Sequence, residues 1–121
     1  MSTNTWHKTI ENSRLNDERW KSITFIEQMA NIGSEVGRTA KWVQKSKPAM
    51  AESAFVRALE LIDLTIKYGR LDSPYRATML KELCRLREYF CGAYELSDIA
   101  TLTWIDKYFS NFALAQRKQV S

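Results

Sequence analysis

Apolar residues recur at three- and four-residue spacing through almost the whole of this chain, interrupted at only three places by the proline, glycine and capping residues that end helices. A period near 3.6 leaves no strand-like alternation to build a sheet from, so the sequence reads as all-α. The first long run starts near Asn16 or Asp17, a favourable N-cap followed by acidic Glu18. Its apolar stripe is Trp20, Ile23, Ile26, Ala30, Gly33, Gly37 and Ala40, widened by Met29, Val36 and Val43. The small residues at 30, 33, 37 and 40 predict a helix packed very close to that stripe, offsetting the roughly 1 kcal/mol that each helical glycine costs against alanine. Ser46-Lys47-Pro48 ends the run, because the residue before a proline is pushed out of the α region.

A second run, from about residue 49 to Tyr68, carries Phe55, Leu59, Ile62 and Ile66 beside Ala51, Ala54, Ala58 and Leu61, with Gly69 as its stop. Asp72-Ser73-Pro74 opens the third, where Leu80, Leu83, Leu86 and Phe90 share one face. Ser97-Asp98 caps the fourth, with Ile99, Leu102, Ile105, Phe109 and Phe112 along its stripe. Four helices of roughly 18 to 28 residues joined by short connections predict an antiparallel up-down-up-down four-helix bundle. The expected organisation is a polar N-terminal arm over residues 1–15, the bundle over 16–116 and a frayed tail over 117–121. The arm is either mobile or a short appendage docking through Trp6 and Ile10.

At 121 residues the chain is one domain's worth. Its one histidine, two cysteines and four glycines exclude the triads, His-rich metal centres and phosphate-cradling loops on which most short enzymes depend, so no catalytic residue, cofactor or metal is expected. His7 has no ligand cluster around it, and Glu60 with Asp63 lacks the Glu-x-x-His partners of a di-metal bundle. Cys84 and Cys91, seven apart on a helix, are too distant to bridge. Their apolar neighbours Leu83, Leu86 and Phe90 predict buried, free thiols in a reducing compartment. Residues 1 to 8 contain no apolar export core and no run reaches 18 apolar residues, so a soluble, cytoplasmic protein without membrane contact is expected.

The net charge is +4. It is concentrated: residues 33 to 50 hold Arg38, Lys41, Lys45 and Lys47 against Glu35, four basic residues to one acidic, a net of +3. Positions 38, 41 and 45 project from one helical face, as contact with a phosphate backbone requires. Trp42 lies among them, placed to stack a base or to shield aliphatic stems. The competing reading is a solvated helix end whose cations complement the C-terminal dipole. Arg85 and Glu88 have the spacing of a surface ion pair. Trp104 and Tyr108 lie four apart, off the main stripe of the last helix, and with Trp42, Tyr68 and Tyr89 they supply more aromatic surface than one small core absorbs. Trp42, Trp104 and Tyr108 are therefore candidate contacts in a homo-oligomer.

The stretch from Ala54 to Ile66 (AFVRALELIDLTI) and that from Leu80 to Leu96 (LKELCRLREYFCGAYEL) resemble the bundle family that includes the 23S ribosomal RNA intervening-sequence proteins and the Avd (accessory variability determinant) proteins of diversity-generating retroelements. The likeness spans about residues 20 to 112 and rests on helical heptads and the Leu83–Tyr94 stretch. It implies a four-helix bundle, assembly into a basic pentamer, and binding to nucleic acid and to the retroelement's reverse transcriptase. Two functions are thus expected as alternatives. One is a non-enzymatic accessory protein holding RNA or another nucleic acid through Arg38, Lys41, Lys45, Lys47, Arg85 and Arg87. The other is a protein–protein scaffold of the intervening-sequence type, with no nucleic-acid role.

Overall fold

The computed structural model describes residues 17–68 and 76–120, and all of the secondary structure in them is helical. The elements are α1 (Asp17–Ser22), α2 (Phe25–Gln44), α3 (Pro48–Tyr68), α4 (Arg76–Glu95) and α5 (Ile99–Val120). The expected N-terminal arm with Trp6, His7 and Ile10, the Gly69 stop and the Asp72-Ser73-Pro74 start lie outside the described residues.

The first apolar run is two helices, not one. Ser22 Oγ donates to the Arg19 carbonyl at 2.6 Å, and Thr24 is extended (φ −69°, ψ 159°) with its hydroxyl accepting the Glu27 backbone N–H at 3.1 Å. Thr24-Phe25-Ile26-Glu27 is a threonine followed at the third position by glutamate, the sequence mark of a helix start, and it overrides the apolar spacing on either side. The break lets Trp20 turn inward. Its indole N–H donates to Thr65 Oγ1 at 3.0 Å, Thr65 Oγ1 donates to the Leu61 carbonyl at 2.8 Å, and Gln28 Nε2 donates to the Trp20 carbonyl at 3.0 Å. These buried bonds latch α1 to both α2 and α3.

The core is built from Phe25, Met29, Ile32 and Val36 of α2, Phe55, Leu59 and Ile62 of α3, Leu83, Leu86 and Phe90 of α4, and Leu102, Ile105 and Phe109 of α5. On α2 the buried stripe is centred on Met29, Ile32 and Val36, a rotation away from the expected Ala30–Gly33–Gly37 line. The two glycines instead lie at the contact with α5. A Cβ at Gly33 would meet Phe109 Cβ at 2.8 Å, and one at Gly37 would meet Asp106 Oδ1 at 3.0 Å. The close approach expected of the small residues is therefore present. α2 packs broadly on α3 and α5, while α4 packs more sparsely on the same two helices. Phe55 joins α3 to α4, stacked on Tyr94 at 3.9 Å and tilted against Phe90 at 5.1 Å.

The α2–α3 and α4–α5 turns share one construction. Ser46 (φ 55°) and Ser97 (φ 52°) take the left-handed conformation, and the N–H of the following residue reaches back five positions, from Lys47 to the Trp42 carbonyl at 2.9 Å and from Asp98 to the Ala93 carbonyl at 2.8 Å. Pro48 then begins α3, where its missing N–H costs nothing. Asp98 begins α5, accepting the Thr101 N–H at 3.1 Å and its hydroxyl at 2.6 Å, bonds that hold the carboxyl below the usual aspartate range.

Two further expectations are corrected. Cys84 is exposed and Cys91 half-buried, because Leu83, Leu86 and Phe90 occupy the inward positions of α4; both thiols are free. Ile99 is exposed at the mouth of the α4–α5 turn instead of sharing the core stripe. The polar segment after residue 116 continues as helix to Val120. Among the described residues, no helix is long and apolar enough to cross a membrane.

Candidate nucleic-acid interface

The last turn of α2 and the three residues after it gather Lys41, Trp42, Lys45 and Lys47. Helical spacing places 41 and 45 one turn apart beside Trp42, and Lys47, after the left-handed Ser46, lines a groove with the same indole. Lys41 Nζ lies 4.7 Å from the Trp42 ring centroid and Lys45 Nζ 5.8 Å, both within cation–π range. All three lysines are exposed, and none forms an ion pair with a described carboxylate. The carbonyl end of α2 favours positive charge here, which accounts for the tolerance of three ammonium groups so close together.

The other expected cations are not part of this cluster in the same sense. Arg38, one turn earlier, is exposed but paired with Glu35. Arg87 makes a two-pronged pair with Asp63, Nε to Oδ1 at 2.7 Å and Nη2 to Oδ2 at 3.1 Å, which ties α4 to α3 and raises the arginine's pKa, the hydrogen bond being the largest cause. Its guanidinium also lies 3.9 Å from Cys91 Sγ, whose thiol burial pushes upward. Arg87 thus ties α4 to α3, with its guanidinium engaged by Asp63. Arg85 is exposed on α4 and does not pair with Glu88, contrary to their spacing. It lines neither of the grooves beside Trp42.

Trp42 separates two open grooves. One, of about 870 Å³, runs between the two serine turns and is lined by Trp42, Lys47, Pro48, Glu52, Tyr94 and Glu95. The other, of about 650 Å³, lies between α2 and α3, where Arg38 is paired with Glu35 and Arg57 with Glu60 at 3.3 Å, and Glu52 lines this groove as well as the first. Glu52 and Glu95 escaped sequence reasoning as part of this site because they lie 43 residues apart and come together only where the two turns meet.

Of the other aromatic candidates, Trp104 is 56% exposed and stacks on Tyr108 at 6.3 Å. Tyr108 is half-buried, packed edge-on against Phe109 at 5.5 Å and hydrogen-bonded to Glu82 of α4. Burial first, and that bond second, raise its hydroxyl pKa. Glu82 and Tyr89 are two turns apart on one side of α4, so Tyr89, also exposed, borders the same seam as Trp104. Among the described residues, no group of three or more His, Cys, Asp or Glu side chains is placed to hold a metal ion. The chain matches no family model, no curated protein and no solved structure.

Proposed function

We propose that this chain is a non-enzymatic, cytoplasmic accessory protein that binds RNA or another nucleic acid through Lys41, Lys45 and Lys47, with Arg38 at the edge of the surface. The observation that carries this reading is the placement of two exposed lysines without ion pairs, Lys41 and Lys45, against the Trp42 ring, with exposed Lys47 lining a groove beside the same indole. We read the helices as an antiparallel up-down-up-down four-helix bundle. Two three-residue connections and the packing of α2 and α4 each against α3 and α5 support that arrangement. The resemblance of residues 54–66 and 80–96 to Avd proteins supports a reverse transcriptase as protein partner and a pentameric assembly.

Replacing Lys41, Lys45 and Lys47 together by glutamine tests the reading by fluorescence anisotropy with labelled RNA across a salt series. Each lost phosphate contact removes about 0.7–0.9 from the slope of log affinity against log salt, so the triple variant is expected to lose about 2–3 of that slope together with most low-salt affinity. Unchanged affinity and slope would refute it. The second reading, a protein–protein scaffold, is favoured by the exposed Trp104 and Tyr89. It predicts that Trp104→Ala disrupts self-assembly in light scattering while nucleic acid leaves the wild-type protein unaffected.

A further inference from the structure

We infer, building on the nucleic-acid reading above, that the ligand of the α2–α3 turn is single-stranded and lays an unpaired base on the Trp42 indole. The grouping of cations and carboxylates around Trp42 carries the inference. Lysine ammonium groups lie over the indole, the indole lines the larger groove, and Glu52 and Glu95 line it too. A strand whose phosphates take up Lys41 and Lys45 draws those ammonium groups off the ring and uncovers an aromatic face beside the same nucleotides. A base face fits that surface without regard to sequence. Base edges, rich in amino donors, then meet the two carboxylates, which accept such bonds. A duplex offers the phosphate contacts but not the rest. Its base faces are already stacked inside the helix, and its second phosphate strand would be carried toward Glu52 and Glu95, where like charges repel.

The test compares one labelled oligonucleotide of about 20 nucleotides, a span longer than the site, as a single strand and as a blunt duplex. The proteins are wild type, Trp42→Phe, Trp42→Leu and the triple lysine variant, each checked for helical content by circular dichroism. Leucine preserves apolar bulk for packing and removes the ring; phenylalanine keeps a ring. The expected result is tighter binding of the single strand by wild type, a loss of about tenfold for that strand in Trp42→Leu, near-wild-type binding in Trp42→Phe, and little change in duplex affinity for either. Equal losses on both ligands, no loss in Trp42→Leu, or equal losses in the leucine and phenylalanine variants would overturn the inference. If the lysine variant loses binding while Trp42→Leu does not, stacking fails and the nucleic-acid reading stands. If the lysine variant binds as wild type does, that reading fails as well.

Discussion

Two glycine-to-alanine substitutions should move stability in opposite directions, and the difference between them measures how tightly α2 and α5 are pressed together. At Gly33 the new Cβ would lie 2.8 Å from Phe109 Cβ and 3.5 Å from the Phe109 carbonyl carbon. Carbon atoms settle at about 3.5–4.0 Å, so the helices must part by roughly 0.7–1.2 Å, and a gap of that order forfeits a quarter to a half of each contact it opens. Phe109 cannot yield locally, because it is 1% exposed and wedged in the core. Forcing one methyl group into such a contact costs about 1–3 kcal/mol. At Gly92 a Cβ meets no atom within 4 Å, which leaves only the helix-propensity gain of about 0.5–1 kcal/mol. That gain is common to both helical sites, so the difference between the variants isolates the steric cost, about 1–3 kcal/mol. Urea titration followed by circular dichroism reads it as a shift in midpoint at unchanged slope. Should Gly33→Ala prove as stable as Gly92→Ala, the account of the α2–α5 contact is wrong.

Thr65→Val removes the acceptor of the buried Trp20 indole N–H at nearly constant volume, and is expected to cost about 1–3 kcal/mol. The loss should concentrate in α1, seen as faster amide hydrogen exchange at residues 20–22 than in the rest of the protein. Asp106 supplies a pH test, since burial against α2 raises its folded pKa. The folded chain then holds that proton to higher pH than the unfolded chain, so this group's stabilising contribution is complete below the unfolded value of about 3.9 and is lost as pH rises through the folded value. Asp106→Asn should therefore unfold at higher urea than wild type at neutral pH, with the gap closing in acid; a gap independent of pH would refute the assignment.

Local periodicity was enough to determine that the chain is helical, where α3 begins, that Asp98 caps α5, and which side chains of α3 fill the core, because all of these depend on residues within a few positions of each other. The break at Thr24 was equally local, written in Thr24 and Glu27, but a continuous apolar stripe masks it. The cluster of Lys41, Lys45 and Lys47 was legible for the same reason, all three lying within two helical turns of Trp42. Arg38 is taken locally, by Glu35 three residues away, but for Arg87 tertiary packing decided whether the cation stayed open. Arg87 is taken by Asp63, 24 residues away, and Glu52 and Glu95 reach one groove from different helices. Spacing along a chain sets the direction in which a side chain leaves its own helix; the charge it meets there belongs to a neighbour whose distance in sequence carries no periodic signal.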